Sequence, residues 1–384
     1  MRKHKLLEEF IRQYDHLPNQ GTDEWKELRK DFIGGSEIST VLKQNKNKTV
    51  NKLILEKLGF KPFVGNVITH WGNVFEEFIR LHCEERFACT IRETGSIPYK
   101  NGYLSYSPDG LAVVPSHKLK EELGCVDPKS ETSDPSKLVL FEFKCPHSRV
   151  ATTDIPEHYL PQVSIGMNII DIMETAIFVQ ATYRRCAFSE LRYDTTHNPI
   201  GHFKRADTSD TPVEYGFMVV YANEPSEFID NLVESLIEIG NAEEIHLLNG
   251  HALVDVGTMN HSGLLEEVLG KCVNKTFSID YCFRQRYIPS VFGRGEYVTG
   301  LYNKSIEYQA RKILRRQTET HNTIVCVIPF KLLNVHLTLV EKNPRYIEDS
   351  NAHSRAKCVL ECIDAHRGLV NEAEVAKSVR RCKL

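Results

Sequence analysis

Two acidic residues and a lysine stand where a hydrolytic centre would need them: Asp109 in SPDGL at 107 to 111, then Glu142 and Lys144 in FEFKCP at 141 to 146. The second stretch is β-type. Strand side chains alternate faces, so Glu142 and Lys144 share one side while Phe141 and Phe143 take the other. Aspartate and glutamate are hard oxygen ligands suited to Mg²⁺, with Mn²⁺ as a substitute, and the backbone carbonyl of Phe143 offers a third oxygen. A divalent ion held this way acidifies a bound water and offsets charge developing on a phosphate, and Lys144 would hold or help deprotonate that water. Charges at alternate strand positions are also what a solvated sheet face displays. Against that, Leu140 and the two phenylalanines mark a strand buried on one side, where charges require pairing or a metal.

The surrounding pattern supplies elements to position these groups. An opening helix near Leu6 to Tyr14 precedes PNQGT, after which Thr22 or Asp23 caps a helix through Phe32. Ser36 is expected to cap a helix from Glu37 to Leu42, and Thr49 to start one ending at Gly59. THWGNVFEEFIRLHCEERF carries Val74, Phe75, Phe78, Ile79 and Leu81 at helical spacing. Strands are expected near 97–105, 111–114 and 138–143, with a polar loop insertion from Lys118 to Lys137. A helix from about Glu157 to Asp171, strands near 176–183, 188–193 and 216–221, and a long helix from Pro225 to Leu248 complete an α/β unit. NGH at 249 to 251 marks the expected boundary, giving units of 1–250 and 251–384, the second a smaller α/β region with strands near 323–328 and 335–340 and a terminal helix.

The 384 residues are 41% hydrophobic and 26% charged, ordinary globular usage with room for about two domains. A net charge of −3 advertises no global positive field, so any nucleic-acid site must be built from local basic clusters. The N-terminus lacks an apolar signal-peptide core, and no apolar run is long enough to span a bilayer. An intracellular protein with free thiols is expected, since the 11 cysteines have no paired spacing.

SPDGL and FEFKCP, in this order, resemble the core of the YqaJ-type viral recombinase family, to which phage lambda exonuclease belongs, within the PD-(D/E)XK nuclease superfamily. Other motifs extend the likeness: Trp25, Arg29 and IGGSE at 33 to 37; Gly72 and Glu76; Tyr159 and Gln162. It covers roughly residues 22 to 248. The resemblance implies an α/β, PD-(D/E)XK restriction-endonuclease-like core, a mixed central sheet flanked by helices, with a C-terminal α/β extension. Asp109 and Glu142 then ligate the metal, Lys144 is catalytic, Glu76 adds a carboxylate and Gln162 steadies the lysine or a phosphate. Arg29 and Ser36 grip phosphate, a role that suits a bidentate guanidinium and the amides of the Gly34-Gly35-Ser36 turn. Trp25 is read as structural.

The family further implies a 5′-to-3′ exonuclease that takes linear duplex DNA with a 5′-phosphorylated end and leaves 3′ single strands. It also implies a single-strand annealing partner, a ring-shaped homotrimer, and host cytoplasm or nucleus if the source is viral. An endonuclease or RNA-degrading enzyme on the same core, and a DNA-end-binding protein without catalysis, are the rival readings. An iron–sulfur nuclease is disfavoured by the unclustered cysteines. Weaker signals are Lys43, Lys46, Lys48 and Lys52 as duplex contacts, and a basic aromatic stretch from Arg284 to Arg316 as a single-strand track or a solvated face. Cys358, Cys362 and His366, with His353 nearby, are better read as a thiol-bearing helix face than as a zinc site. Cys145 is expected to pack.

Overall fold

The computed structural model describes residues 2–18, 20, 22–60, 67–100, 102–124, 135–185, 213–222, 245–248, 251–254, 277–288, 296–299, 323–369 and 371–379. It has the expected mixed α/β architecture. Its organising element is a mixed seven-stranded sheet, in which strands β4 (Gly110–Pro115), β5 (Ser136–Lys144) and β6 (Thr175–Arg185) form one end. β4 runs antiparallel to β5, while β5 and β6 run parallel. A parallel pair needs a crossover connection. Helix α7 (Leu160–Ile169) supplies it, entered through a 3₁₀ turn at Glu157–Tyr159. The helix expected over 157 to 171 therefore begins as a tighter turn and ends slightly early.

Side-chain alternation on β5 sorts the core into two. Val139, Phe141 and Phe143 enter a cluster with Trp71, Phe75 and Phe78 of α5 (Val67–Phe87). Leu138 and Leu140 enter another, with Leu7, Phe10 and Ile11 of α1 (Arg2–Tyr14), Ile38 of α3 (Gly35–Val41), and Leu53 and Ile54 of α4 (Val50–Lys57). Both faces of β5 are thus buried, not one as expected, because helices cover the sheet on each side. Thr49 caps α4, accepting from the Lys52 amide, and Gly59 follows it at φ +84°. Both agree with the sequence reading.

Other expectations are corrected. The helix expected from Thr22 or Asp23 through Phe32 is α2 (Asp23–Leu28), capped by Thr22, followed by a 3₁₀ turn at Arg29–Asp31. The polar stretch after Lys118 is not all loop: α6 (Ser116–Leu123) occupies its first part and buries Leu119, whereas 125–134 lie outside the described residues. Two short strands, β2 (Ile97–Pro98) and β3 (Leu104–Tyr106), pair with each other, and β3 also pairs in parallel with β1 (Ile33–Gly34).

Beyond these lie β7 (Val213–Ala222), β8 (Ile245–Leu248), β9 (His251–Val254), β10 (Phe277–Ile288), β11 (Glu296–Thr299) and β12 (Thr323–Glu341). The strand expected near 188–193 and most of the helix expected from Pro225 lie outside the described residues, and the end of that helix is instead β8. β8 and β9 pair with each other across residues 249 and 250, where the unit boundary was expected. The two apolar strands expected between 323 and 340 are one continuous strand, β12, with register shifts. It lies between β7 and β6, so residues beyond 250 are built into the same sheet as β5. Helices α8 (Tyr346–Asp349), α9 (Ala352–His366) and α10 (Glu372–Val379) add Ile347, Val359, Ile363 and Val375 to the α1, α3 and α4 cluster. Among the described residues, no helix is long and apolar enough to cross a membrane.

Phe330 of β12 is fully buried against Phe75, Phe78 and Tyr183, with ring centroids 5.1, 4.8 and 5.7 Å away. Phe330→Ala is therefore expected to destabilise the N-terminal core by about 3–5 kcal/mol in a denaturant titration. A loss below about 1 kcal/mol would show that β12 contributes no core packing.

Candidate active site

The antiparallel register that sets Gly110 opposite Phe141 brings Asp109, one residue earlier, to the carboxyl end of β5 beside Glu142. Gly110 is required there, because a Cβ would lie 2.3 Å from Ile91 Cγ2. The Phe143 amide donates to Asp109 Oδ2 at 2.8 Å, locking the loop to the strand. Lys144 returns over its own strand and donates to Glu142 Oε1 and, at 3.0 Å, to the carbonyl of Phe143. Its Nζ is 3.7 Å from Asp109 Oδ2. One ammonium thus lies within 3.7 Å of an oxygen of each of Asp109, Glu142 and Phe143, three of the four residues expected as cation ligands, Glu76 being the fourth. Gln162, from the first turn of α7, also donates to Glu142 Oε1, and the ring of Tyr159 lies 5.4 Å from Lys144 Nζ.

Glu142 is wholly buried. Its second oxygen accepts a 2.5 Å hydrogen bond from the hydroxyl of Tyr106, a residue the sequence reading did not single out. The only available signal was its place three residues before Asp109, and an aromatic at a strand end is ordinarily packing. Burial, followed by the negative charges of Glu142 and Asp109, pushes the Tyr106 phenol well above its usual range, so it stays a donor.

Burial first, then the charge of Glu142, holds the Asp109 carboxyl well above the usual range, although Lys144 and the Phe143 amide act the other way. Burial would lower the Lys144 ammonium, but Glu142 and Asp109 outweigh it and hold it above its ordinary value. Glu76, on α5, is near enough for its charge to raise Asp109 further. Among the described residues, no three His, Cys, Asp or Glu side chains gather closely enough to hold a metal by themselves. Glu76 therefore approaches the pair without completing a three-carboxylate cage.

A second polar cluster lies on the turn before α3. The cap of α3 is Gly34, not Ser36, which lies inside the helix and is exposed. Short-range preference for serine at a cap is overridden because Glu37 reaches back to accept from the Gly34 amide at 2.8 Å. That amide is therefore not exposed for an anion, and Gly35 is buried against the Tyr106 ring. What remains outward is side-chain chemistry. Arg29 lies across Gly34, where a Cβ would come within 2.4 Å of Nη2, and donates to Ser36 Oγ at 3.1 Å. Trp25 supports it from beneath: the guanidinium carbon is 4.6 Å from the indole centroid, and Nε1 donates to Ser107 Oγ at 3.2 Å. Lys57 pairs with Glu37 at 3.0 Å and donates to the carbonyls of Arg29 and Phe32.

The remaining candidates are less concentrated. Lys43 and Lys46 are exposed, while Lys48 is paired with Glu56. The stretch from Arg284 to Arg316 falls largely outside the described residues. His366 is occupied by the Cys362 carbonyl at 2.6 Å and Ser378 Oγ at 2.9 Å, and Cys358 is exposed, consistent with a helix face. Cys145 is buried, and burial pushes its thiol up to about 12.

Comparison with known proteins agrees with the motif reading. Residues 24–173 match the YqaJ-like viral recombinase domain. That span contains Arg29, Ser36, Glu76, Asp109, Glu142, Lys144 and Gln162. A protein of African swine fever virus (strain Badajoz 1971 Vero-adapted) is 26% identical over 226 residues, covering 56% of this chain and 64% of the relative. Its counterpart in the Tick/South Africa/Pretoriuskop isolate is 26% identical over 204 residues, 50% of this chain and 58% of its own. The chain thus spans under two thirds of the length of these viral relatives. The crystal structure of an alkaline exonuclease from Laribacter hongkongensis aligns with a TM-score of 0.31 at 20% identity, over 42% of this chain and 74% of that one.

Burial raises the Glu37 carboxyl, but Lys57, Arg29 and the Gly34 amide outweigh it and leave its pKa below the ordinary 4.5. A depressed folded value stabilises the fold above the ordinary one, and the gain disappears as pH falls through the folded value. Glu37→Gln is therefore expected to cost about 3 kcal/mol at neutral pH. In paired denaturation curves the cost should shrink progressively below pH 4.5. A cost that stays constant with pH would show that the charge of Glu37 contributes nothing.

Proposed function

We propose that this chain is a nuclease that digests DNA from an end, using Asp109, Glu142 and Lys144 with a bound Mg²⁺. The observation that carries the reading is the convergence of two carboxylates, one backbone carbonyl and one ammonium at the end of β5. The donor set fits the ion. Mg²⁺ is commonly held by one or two carboxylates plus water and substrate phosphate, so a closed cage of protein ligands is not needed. The charge balance fits too, because Lys144 alone leaves Asp109 pushed towards its protonated form, and a further cation relieves that. Asp109, Glu142 and the Phe143 carbonyl would hold the ion, with Glu76 in electrostatic reach. Bound there, it would acidify a water and stabilise charge on the phosphate, and Mn²⁺ would serve similarly.

The chain's own groups do the rest. Lys144 as an ammonium holds the attacking water and offsets the negative charge that grows on the phosphate. Gln162 keeps Glu142 and Lys144 in register through the oxygen they share. Arg29 and Ser36 face outward beside this centre, and a guanidinium with an adjacent hydroxyl suits a terminal phosphate. The match to the recombinase domain supports DNA as substrate, and a grip on a 5′-phosphate supports 5′-to-3′ travel on linear duplex. A homotrimer and a single-strand annealing partner belong to the same proposal.

On end-labelled linear duplex, Mg²⁺-dependent release of nucleotides is expected and EDTA should abolish it. Lys144→Ala should lower kcat on the order of 10²–10⁴-fold. Cleavage of covalently closed circles would move the reading to an endonuclease, and binding without turnover at any Mg²⁺ concentration to an end-binding protein. Arg29→Ala should raise KM about 10–100-fold for 5′-phosphorylated ends, the loss of a charge-assisted hydrogen bond, and leave 5′-hydroxyl ends little changed. Equal losses on both ends would remove Arg29 from phosphate recognition.

A further inference from the structure

We propose that Tyr106 is a positioning residue that fixes the Glu142 carboxylate and ties it to the turn bearing Arg29 and Ser36, an inference that rests on the nuclease reading above. The ring is only 1% exposed, and two backbones from different elements close on it. A Cβ on Gly35 of α3 would lie 2.4 Å from Tyr106 Cδ2, and one on Gly166 of α7 would lie 2.5 Å from Cζ. Those approaches are possible only because both residues lack side chains. Packing alone would be served by a phenylalanine, since a buried hydroxyl is unfavourable unless it is hydrogen-bonded. The hydroxyl is explained by Glu142 Oε2 at 2.5 Å.

Glu142 Oε1 already takes Lys144 and Gln162. Tyr106 holds the other oxygen, so donors from β3, β5 and α7 together define the plane of the carboxylate. A carboxylate that ligates a cation depends on such partners for its orientation, and their removal typically costs 10–100-fold in metal affinity or activity. The same ring touches Gly35, the immediate neighbour of Ser36 and of the Gly34 backbone under Arg29. An occupant of the Arg29 turn is therefore separated from Glu142 by a single aromatic side chain.

The test is Tyr106→Phe, which keeps the ring and deletes the hydroxyl, studied in the full chain. Mn²⁺ binding by titration calorimetry should weaken about tenfold and kcat should fall about 10–100-fold. KM for 5′-phosphorylated duplex should stay within about twofold, because Arg29 and Ser36 are untouched. Gly166→Ala, which drives a methyl into the ring with the phenol intact, should reproduce both defects. Unchanged Mn²⁺ affinity and kcat in Tyr106→Phe would overturn the proposal and leave the nuclease reading standing. So would losses no larger than the unfolded fraction measured by circular dichroism. A wild-type chain that neither binds Mn²⁺ nor cuts DNA would overturn the nuclease reading itself, and this inference with it.

Discussion

A carboxylate with no access to water is expensive to hold, and Glu142 is such a group. Most of the local architecture can be understood as the means of compensating it. Its neighbours Phe141 and Phe143 are drawn into the core against α5, which anchors the strand, and Leu138 and Leu140 anchor the opposite face. Glu142 shares that second face at the end of the strand, and no apolar partner can satisfy it. Three donors do so: Lys144 from the same strand, Gln162 from the crossover helix, and Tyr106 from the short sheet. Each comes from a different element, so the carboxylate is satisfied only when all have assembled. Partly satisfied networks of this kind are costly, which ties local geometry to global folding.

The turn before α3 follows the same logic at smaller scale. Glu37 is drawn inward by the Gly34 amide and by Lys57, and Lys57 in turn ties down the carbonyls of Arg29 and Phe32. With Glu37 chiefly engaged by Lys57, the guanidinium of Arg29, 3.7 Å from it, is left to face Ser36 and the surface. The two polar clusters are joined at two points. Tyr106 packs on Gly35, and Ser107 accepts from Trp25, which lies under Arg29. Tyr106 and Ser107 are adjacent, and Asp109 follows two residues later. A short segment thus carries a metal-ligand candidate at one end and the contacts to the arginine turn at the other.

What could be read from residue order follows from range. The helices α4 and α5 and the strands β4 and β5 have periodicity, caps and glycine stops written in consecutive positions, and they appear close to where those signals place them. The side-by-side arrangement of Glu142 and Lys144 follows from strand alternation alone. Their meeting with Asp109 was legible only through the order of motifs, since nothing local states that β4 and β5 pair. Ser36 misled because a serine cap preference does not say which of several adjacent positions begins the helix: it begins at Gly35, and Glu37 reaches back from inside it to the amide of the actual cap, Gly34. Tyr106 was missed for a related reason: its function depends on Gly35 and Gly166, roughly 60 to 70 residues away on either side. The continuity of β12 through its bulges, and its insertion between β7 and β6, likewise depend on partners remote in sequence.

Charge accounting explains why a nearly neutral chain is compatible with a polyanionic substrate. Asp109 and Glu142 against Lys144 leave one net negative charge, with Glu76 adding to the field. The structure meets this deficit partly by pushing Asp109 towards its neutral form. On the proposed reading, a divalent cation would turn the trio of Asp109, Glu142 and Lys144 net positive, and would cancel the negative charge of the cluster with Glu76 included, so that a phosphodiester could be received. Recognition of the polyanion would then be conditional on the ion, not built into the resting surface. Arg29, balanced on Trp25, would present permanent positive charge beside the site. A chain organised this way has no need of a large basic excess, because its attraction for phosphate is created locally and chiefly when the cation is bound.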